Sequence, residues 1–307
     1  MAYENNADGY SYGSDVEVKK YYAELTEKNR RFLADIALKM QNVEIGSTGI
    51  LAIGSHAKRE AVDSSGLQID MILHENKTSE EVKEYMQTIA DEVDGLNVDY
   101  QGAIKTYDLS TPYSGGGLTI GTKGGDGHCH VWIDRVLSAD LLVGNESDFA
   151  EIYARAQRDF YEYGARKIRE SARNVLKSFR RANETGVYKD KQFDLETGEI
   201  YGGLKFGPLR FMQSFLALDH FKKQRPMLTD NLHTTENRIR EYFSDSLMSD
   251  DAISAYKRAL LIQHQLLKLK SAAKTDEEKS ECKIKLSPSE LSDITKSIQC
   301  FVSENDK

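Results

Sequence analysis

The sequence predicts an α+β domain that opens on a long helix and is followed by an all-helical domain. Three observations carry this expectation. Val18, Tyr21, Leu25, Phe32, Ile36 and Met40 recur at intervals close to three and four, the period of one amphipathic helix. From Gly46 the grammar changes to short apolar runs separated by polar and Gly-rich turns. From Asp148 onward strand grammar disappears and charged helical patterns replace it. The expected organisation is a disordered segment over 1–14, an αβ domain over 15–147 and a helical domain over 148–307.

Within the αβ domain, GILAIGS (49–55) reads as a buried strand running into a turn, and LQIDMIL (67–73) as a second strand. Thr78 with Glu81 forms a capping-box pattern that opens a helix. LNVDYQ and AIKTYDLS are further strand candidates, and SGGG (114–117) and KGGDG (123–127) are turns. In the second half a charged helical region covers 148–183, and a polar, Gly-rich connection covers 184–207. Helices follow over 208–223, 236–243 and 250–272. A last helix begins at SPSE, with Ser287 as N-cap, Pro288 at the first position and Glu290 completing the box.

A chain of 307 residues is long enough to bury one large core or two medium ones. No run approaches the ~20 apolar residues of a membrane span, and the N-terminus lacks signal-peptide regions. The expectation is therefore no membrane contact. Cys129, Cys282 and Cys300 are odd in number and widely spaced, which argues against a disulfide framework and for a reducing, cytoplasmic home. The net charge of −8 is uneven: residues 1–147 hold 13 Lys/Arg against 24 Asp/Glu, and residues 148–307 hold 28 against 25. An acidic first half disfavours nucleic acid as a partner.

One stretch carries chemistry. In GSHAKRE (54–60), Gly54 and Ser55 suit a turn that lets the backbone approach phosphate, with Lys58 and Arg59 beside it as phosphate contacts. About ten residues on, Asp70 is a lone carboxylate on an otherwise apolar strand, a position from which it would hold a metal ion.

With these residues in view, the chain resembles one catalytic unit of the bacterial glutamine synthetase adenylyltransferases and, as second choice, the related uridylyltransferases of the PII signalling protein. GSHAKREAVDSS…IDMIL is similar to the family's G-x-x-G-G-x-E-x-x-x-x-S-D-x-D-L-I, and YDLSTPYSGGGLTIG (107–121) to its D-L-R-L-R-P-x-G-x-x-G-x-L. SADLLVGNESDF (138–149), LKFGPLRFMQSFLAL (204–218) and SDDAISAYKRALLIQHQLL (249–267) resemble three later motifs, in the family's order. The resemblance implies a polymerase-beta-like nucleotidyltransferase domain followed by a helical bundle. It also implies Mg2+ as cofactor, ATP as substrate, and transfer of AMP to a hydroxyl of a protein acceptor. Carried over residue by residue, Asp70 and Asp108 become the catalytic, metal-holding carboxylates, and Gly54, Ser55 and Arg210 join Lys58 and Arg59 in holding the nucleotide.

The departures concern charge. The family places two carboxylates at i and i+2 of one strand, on one face. Here the pair is Gln68 and Asp70, and a neutral amide offers an oxygen without the charge that two divalent cations need. Asp63, in a loop about two residues longer than the family's, is a candidate substitute. Ser110 and Thr111 replace arginines, and Phe211 and Gln213 replace acids. Besides the adenylyltransferase reading, the same residues fit a catalytically degenerate protein that binds a nucleotide or a protein partner and regulates without chemistry. Transfer to a small molecule or an RNA end is a third reading. His128-Cys129-His130 has the residue types of a zinc site without matching ligands elsewhere. His264, within an apolar helix, reads as a hydrogen-bonded packing residue, and the basic run Arg166–Arg181 as a solvated face.

Overall fold

The structure, a computed structural model, describes residues 14–41, 49–62, 65–74, 106–110, 135–161 and 192–306, with isolated positions at 81, 84, 87, 88, 91, 174 and 177. Asp63, Thr78, His128, Cys129 and His130 lie outside the described residues, as does most of the basic run 166–181. The fold is mixed α+β, with a four-stranded and a two-stranded sheet among the described residues. Contacts divide these residues into two units. One holds those of Glu24–Ser171 and Leu216–Asn237; the other holds those of Met1–Ala23, Ala172–Phe215 and Arg238–Lys307.

Helix α1 (Asp15–Met40) matches the expected amphipathic helix. Ser14 and Glu17 cap it reciprocally: the Glu17 carboxylate accepts from the Ser14 backbone N–H at 2.6 Å, and the Glu17 N–H donates to the Ser14 hydroxyl. Its buried stripe runs through Val18, Tyr22, Leu25, Leu33, Ile36 and Met40. Tyr22 and Leu33 thus face inward more fully than Tyr21 and Phe32, a one-residue rotation that a 3.6-residue period leaves open.

The first unit is built on strands β1 (Gly49–Ile53), β2 (Gln68–Leu73), β3 (Thr106–Asp108) and β4 (Asp140–Val143), in spatial order β3-β2-β1-β4. β2 and β4 run antiparallel to β1, and β3 runs parallel to β2. Alternation sends Ile50, Ala52, Ile69, Met71 and Leu73 to one face, against Leu33, Ile36 and Met40 of α1. Leu51, Ile53, Ile72 and Tyr107 take the other face, with Val136, Phe149 and Ile152. Phe149 and Ile152 come from helix α3 (Glu146–Asp159). Each fully buried aliphatic side chain contributes about 1.5–3 kcal/mol.

β4 was not foreseen as a strand, and the expected absence of strands after Asp148 needs correction. β5 (Glu199–Ile200) pairs antiparallel with β6 (Ile284–Lys285) in the second unit. Two-residue strands carry no alternation to read, so only the pairing reveals them. The helices of the second half otherwise fall where expected, at α4 (Arg210–Lys222), α5 (Thr235–Tyr242), α6 (Ser249–Ala272) and α8 (Pro288–Asn305). Ser287 caps α8 by accepting from the Glu290 N–H at 3.2 Å. A short helix α7 (Asp276–Glu281) carries a Thr275–Glu278 capping box that the sequence reading missed. In the second unit Phe215, Phe243 and Phe301 pack ring against ring, and Tyr21 meets Nδ1 of buried His264 at 2.7 Å, the packing role expected of that histidine.

Candidate functional site

The Gly54–Ser55 turn sits at the C-terminal end of β1 and opens the single helical turn α2 (Gly54–Ala57). Gly54 has φ +70°, and a Cβ there would stand 2.5 Å from Oε1 of Gln68. The left-handed backbone favours glycine here, and any side chain would also have to displace the tip of the Gln68 amide. The Lys58 N–H donates to the Gly54 carbonyl and the Glu60 N–H to the Ser55 carbonyl, closing the loop on itself.

Its two cations are drawn inward. Lys58 is buried. Arg59 takes the left-handed φ of 62°, which costs a non-glycine residue about 1–2 kcal/mol. Its guanidinium offsets that by donating to Asp140 at 2.8 Å, to Asp230 at 3.0 Å and to the Ala57 carbonyl at 3.1 Å. Only 5% of its side chain is exposed, so Arg59 acts as a clamp between the turn, β4 and the Asp230–Leu232 turn. Beside it His56 stacks on Phe32 at 4.8 Å and donates from Nε2 to the Ser65 carbonyl, and burial lowers its pKa.

Asp70 lies on the same strand and face as Gln68, opposite Leu51 in the register. It is fully buried. Arg135, from a helical turn at 135–137, grips it with both arms of its fork: Nε donates to Oδ2 at 2.7 Å and Nη2 donates to Oδ1. The Tyr107 hydroxyl donates to Oδ2 at 2.9 Å. Burial, and then the Asp70 charge, hold the Tyr107 hydroxyl well above its ordinary pKa. Both carboxylate oxygens are therefore engaged by cationic or hydroxyl donors, with Asp70 fully buried and the Arg135 side chain partly exposed.

Asp108 stands apart from this cluster. β3 pairs Ile72 with Tyr107 and Leu73 with Asp108, so Tyr107 shares the Asp70 face and Asp108 shares that of Leu73. The Asp108 carboxylate accepts from the Ser110 N–H and hydroxyl, and its carbonyl accepts from Arg155. The register thus places Asp70 and Asp108, the expected metal-holding carboxylates, on opposite faces of the sheet. Among the described residues no group of three or more His, Cys, Asp or Glu is arranged to hold one. Arg210, at the start of α4, belongs to the other unit.

Sequence reasoning missed Arg135 and Tyr107. Tyr107 was findable in principle, because alternation gives the residue beside Asp108 the opposite face. Nothing in the sequence signals that Arg135 meets a carboxylate 65 residues earlier.

No protein-family model matches the chain, and no curated protein matches it significantly. No described helix is long and apolar enough to cross a membrane.

Proposed function

We propose that this chain is a nucleotidyltransferase-like protein that acts by binding a nucleotide or a protein partner, not by transferring a nucleotidyl group. One observation carries the reading: Asp70, the carboxylate the family likeness assigns to metal, is buried under an Arg135 fork and the Tyr107 hydroxyl. A buried, doubly bonded Arg–Asp pair is a structural device, and extracting either partner is strongly unfavourable. Gln68 supports the same reading, because it sits where a second carboxylate would be and lies over the glycine turn. The likeness itself draws support from the strand arrangement: β1 ends in Gly54-Ser55, antiparallel β2 carries Asp70, and parallel β3 carries Asp108.

The test is calorimetric titration of ATP and the other three common nucleotides, with and without magnesium. Binding of equal strength with and without magnesium, and no nucleotide turnover, is expected. Magnesium-dependent binding that disappears in an Asp70→Asn, Asp108→Asn variant would replace this reading with the enzymatic one.

That second reading, AMP transfer from ATP to a protein hydroxyl, is favoured by the left-handed glycine turn directly after β1, a feature suited to close phosphate approach. It requires Arg135 to release Asp70. A rise in magnesium-dependent turnover on Gln68→Asp would support it.

A further inference from the structure

The described residues include three arginines buried in the protein: Arg59, Arg155 and Arg238. Two are satisfied. Arg59 meets Asp140 and Asp230, and Arg155 meets Glu151 at 2.7 Å. Arg238, in the middle of α5, is different. It is fully buried, and its Nε, Nη1 and Nη2 all lack a hydrogen-bond partner among the described residues.

The two hydroxyls nearest in sequence bond elsewhere: Thr234, just before α5, accepts from the Asn237 N–H, and the Thr235 hydroxyl donates to Glu60. A guanidinium cannot lose its proton at any ordinary pH, so burial does not neutralise it as it would a lysine. Five N–H donors in a fixed planar fork, buried without a partner among the described residues, are among the least favourable arrangements in a protein interior. They are also the arrangement that an oxyanion with two coplanar acceptor oxygens completes.

We infer that Arg238 anchors an internal binding site for a small oxyanion, a single phosphate or carboxylate group, in the second unit. The inference does not rest on the reading proposed for the Gly54 turn.

The experiment is thermal unfolding of the full chain in increasing inorganic phosphate and, separately, acetate. Sodium chloride at matched ionic strength is the control. A ligand that binds only the folded state raises Tm with concentration. Wild type should show a rise with one anion beyond that of chloride, and Arg238→Met should lose it. A rise with phosphate alone assigns a phosphate group, and a rise with acetate alone assigns a carboxylate. No rise with either anion in wild type overturns the proposal. An undiminished rise in Arg238→Met also overturns it, because the anion is then held elsewhere. Should Arg238→Met not fold, Arg238→Lys carries the test. Lysine keeps the charge without the fork, and the anion should bind at least about tenfold more weakly. Unchanged affinity in that variant overturns the proposal.

Discussion

The two faces of the four-stranded sheet are made from the same strands by different means. On the α1 face, Ile50, Ala52, Ile69, Met71 and Leu73 meet Leu33, Ile36 and Met40, and shape alone decides the packing. On the opposite face, Gln68, Asp70 and Tyr107 are set among Leu51, Ile53 and Ile72, with Arg135 brought in to neutralise the acid. An apolar face tolerates modest change at modest cost. A face holding a buried ion pair stands or falls with both partners. The difference teaches that a lone carboxylate on an apolar strand is set by its company, here Arg135 and Tyr107.

The largest effect should come from breaking the charged face. Asp70→Ala leaves Arg135 without its carboxylate and is expected to cost about 3–5 kcal/mol in urea unfolding. The double variant Asp70→Leu, Arg135→Met should recover most of that loss. A gain in stability from Asp70→Ala would instead indicate a carboxylate kept for a ligand at the expense of the fold, and would favour the enzymatic reading.

Next comes the glycine turn. Gly54→Ala should cost about 1–2 kcal/mol for the left-handed backbone. The close approach of Gln68 Oε1 adds to that. Adding Gln68→Ala should return the steric part only, which a double-mutant cycle would separate. On the apolar face, Ile36→Val should cost about 0.5–1.5 kcal/mol with an unchanged denaturant slope.

Two pH effects are smaller and opposite in sign. Tyr107 has a raised pKa when folded, so it stabilises fully below its unfolded value of 10.0, and that contribution is lost as pH rises above it. Tyr107→Phe should lose about 1 kcal/mol at neutral pH and decline less than wild type in alkali. His56 has a lowered pKa, so its contribution is present above its unfolded value of 6.5 and is lost as pH falls below it. His56→Gln should flatten that acid limb, and an unchanged limb would show that the ring is solvated.

Much of the local structure was legible in advance. The α1 periodicity, the strands at 49–53 and 68–73, the four helices of the second half and the Ser287 cap depend on neighbours within a few residues. The candidate site was legible only as a set of residue types. Gly54 was singled out as a turn glycine, yet its contact with Gln68 depends on how β1 and β2 pair. Lys58 and Arg59 were expected to reach toward phosphate, whereas Arg59 is spent on Asp140 and Asp230, from segments 81 and 171 residues away.

By itself the sequence determined the long helices and the two strands at 49–53 and 68–73, because propensity and period act over one or two turns. The short strands β4, β5 and β6 and helix α7 escaped it. Only the tertiary structure decided that Asp70 answers to Arg135 and Tyr107, that Asp108 takes the other face, and that Arg238 is buried without a partner among the described residues. The reason is physical. Strand register and the meeting of distant segments set the surroundings of every charge, and a one-residue change of register exchanges the two faces of a strand.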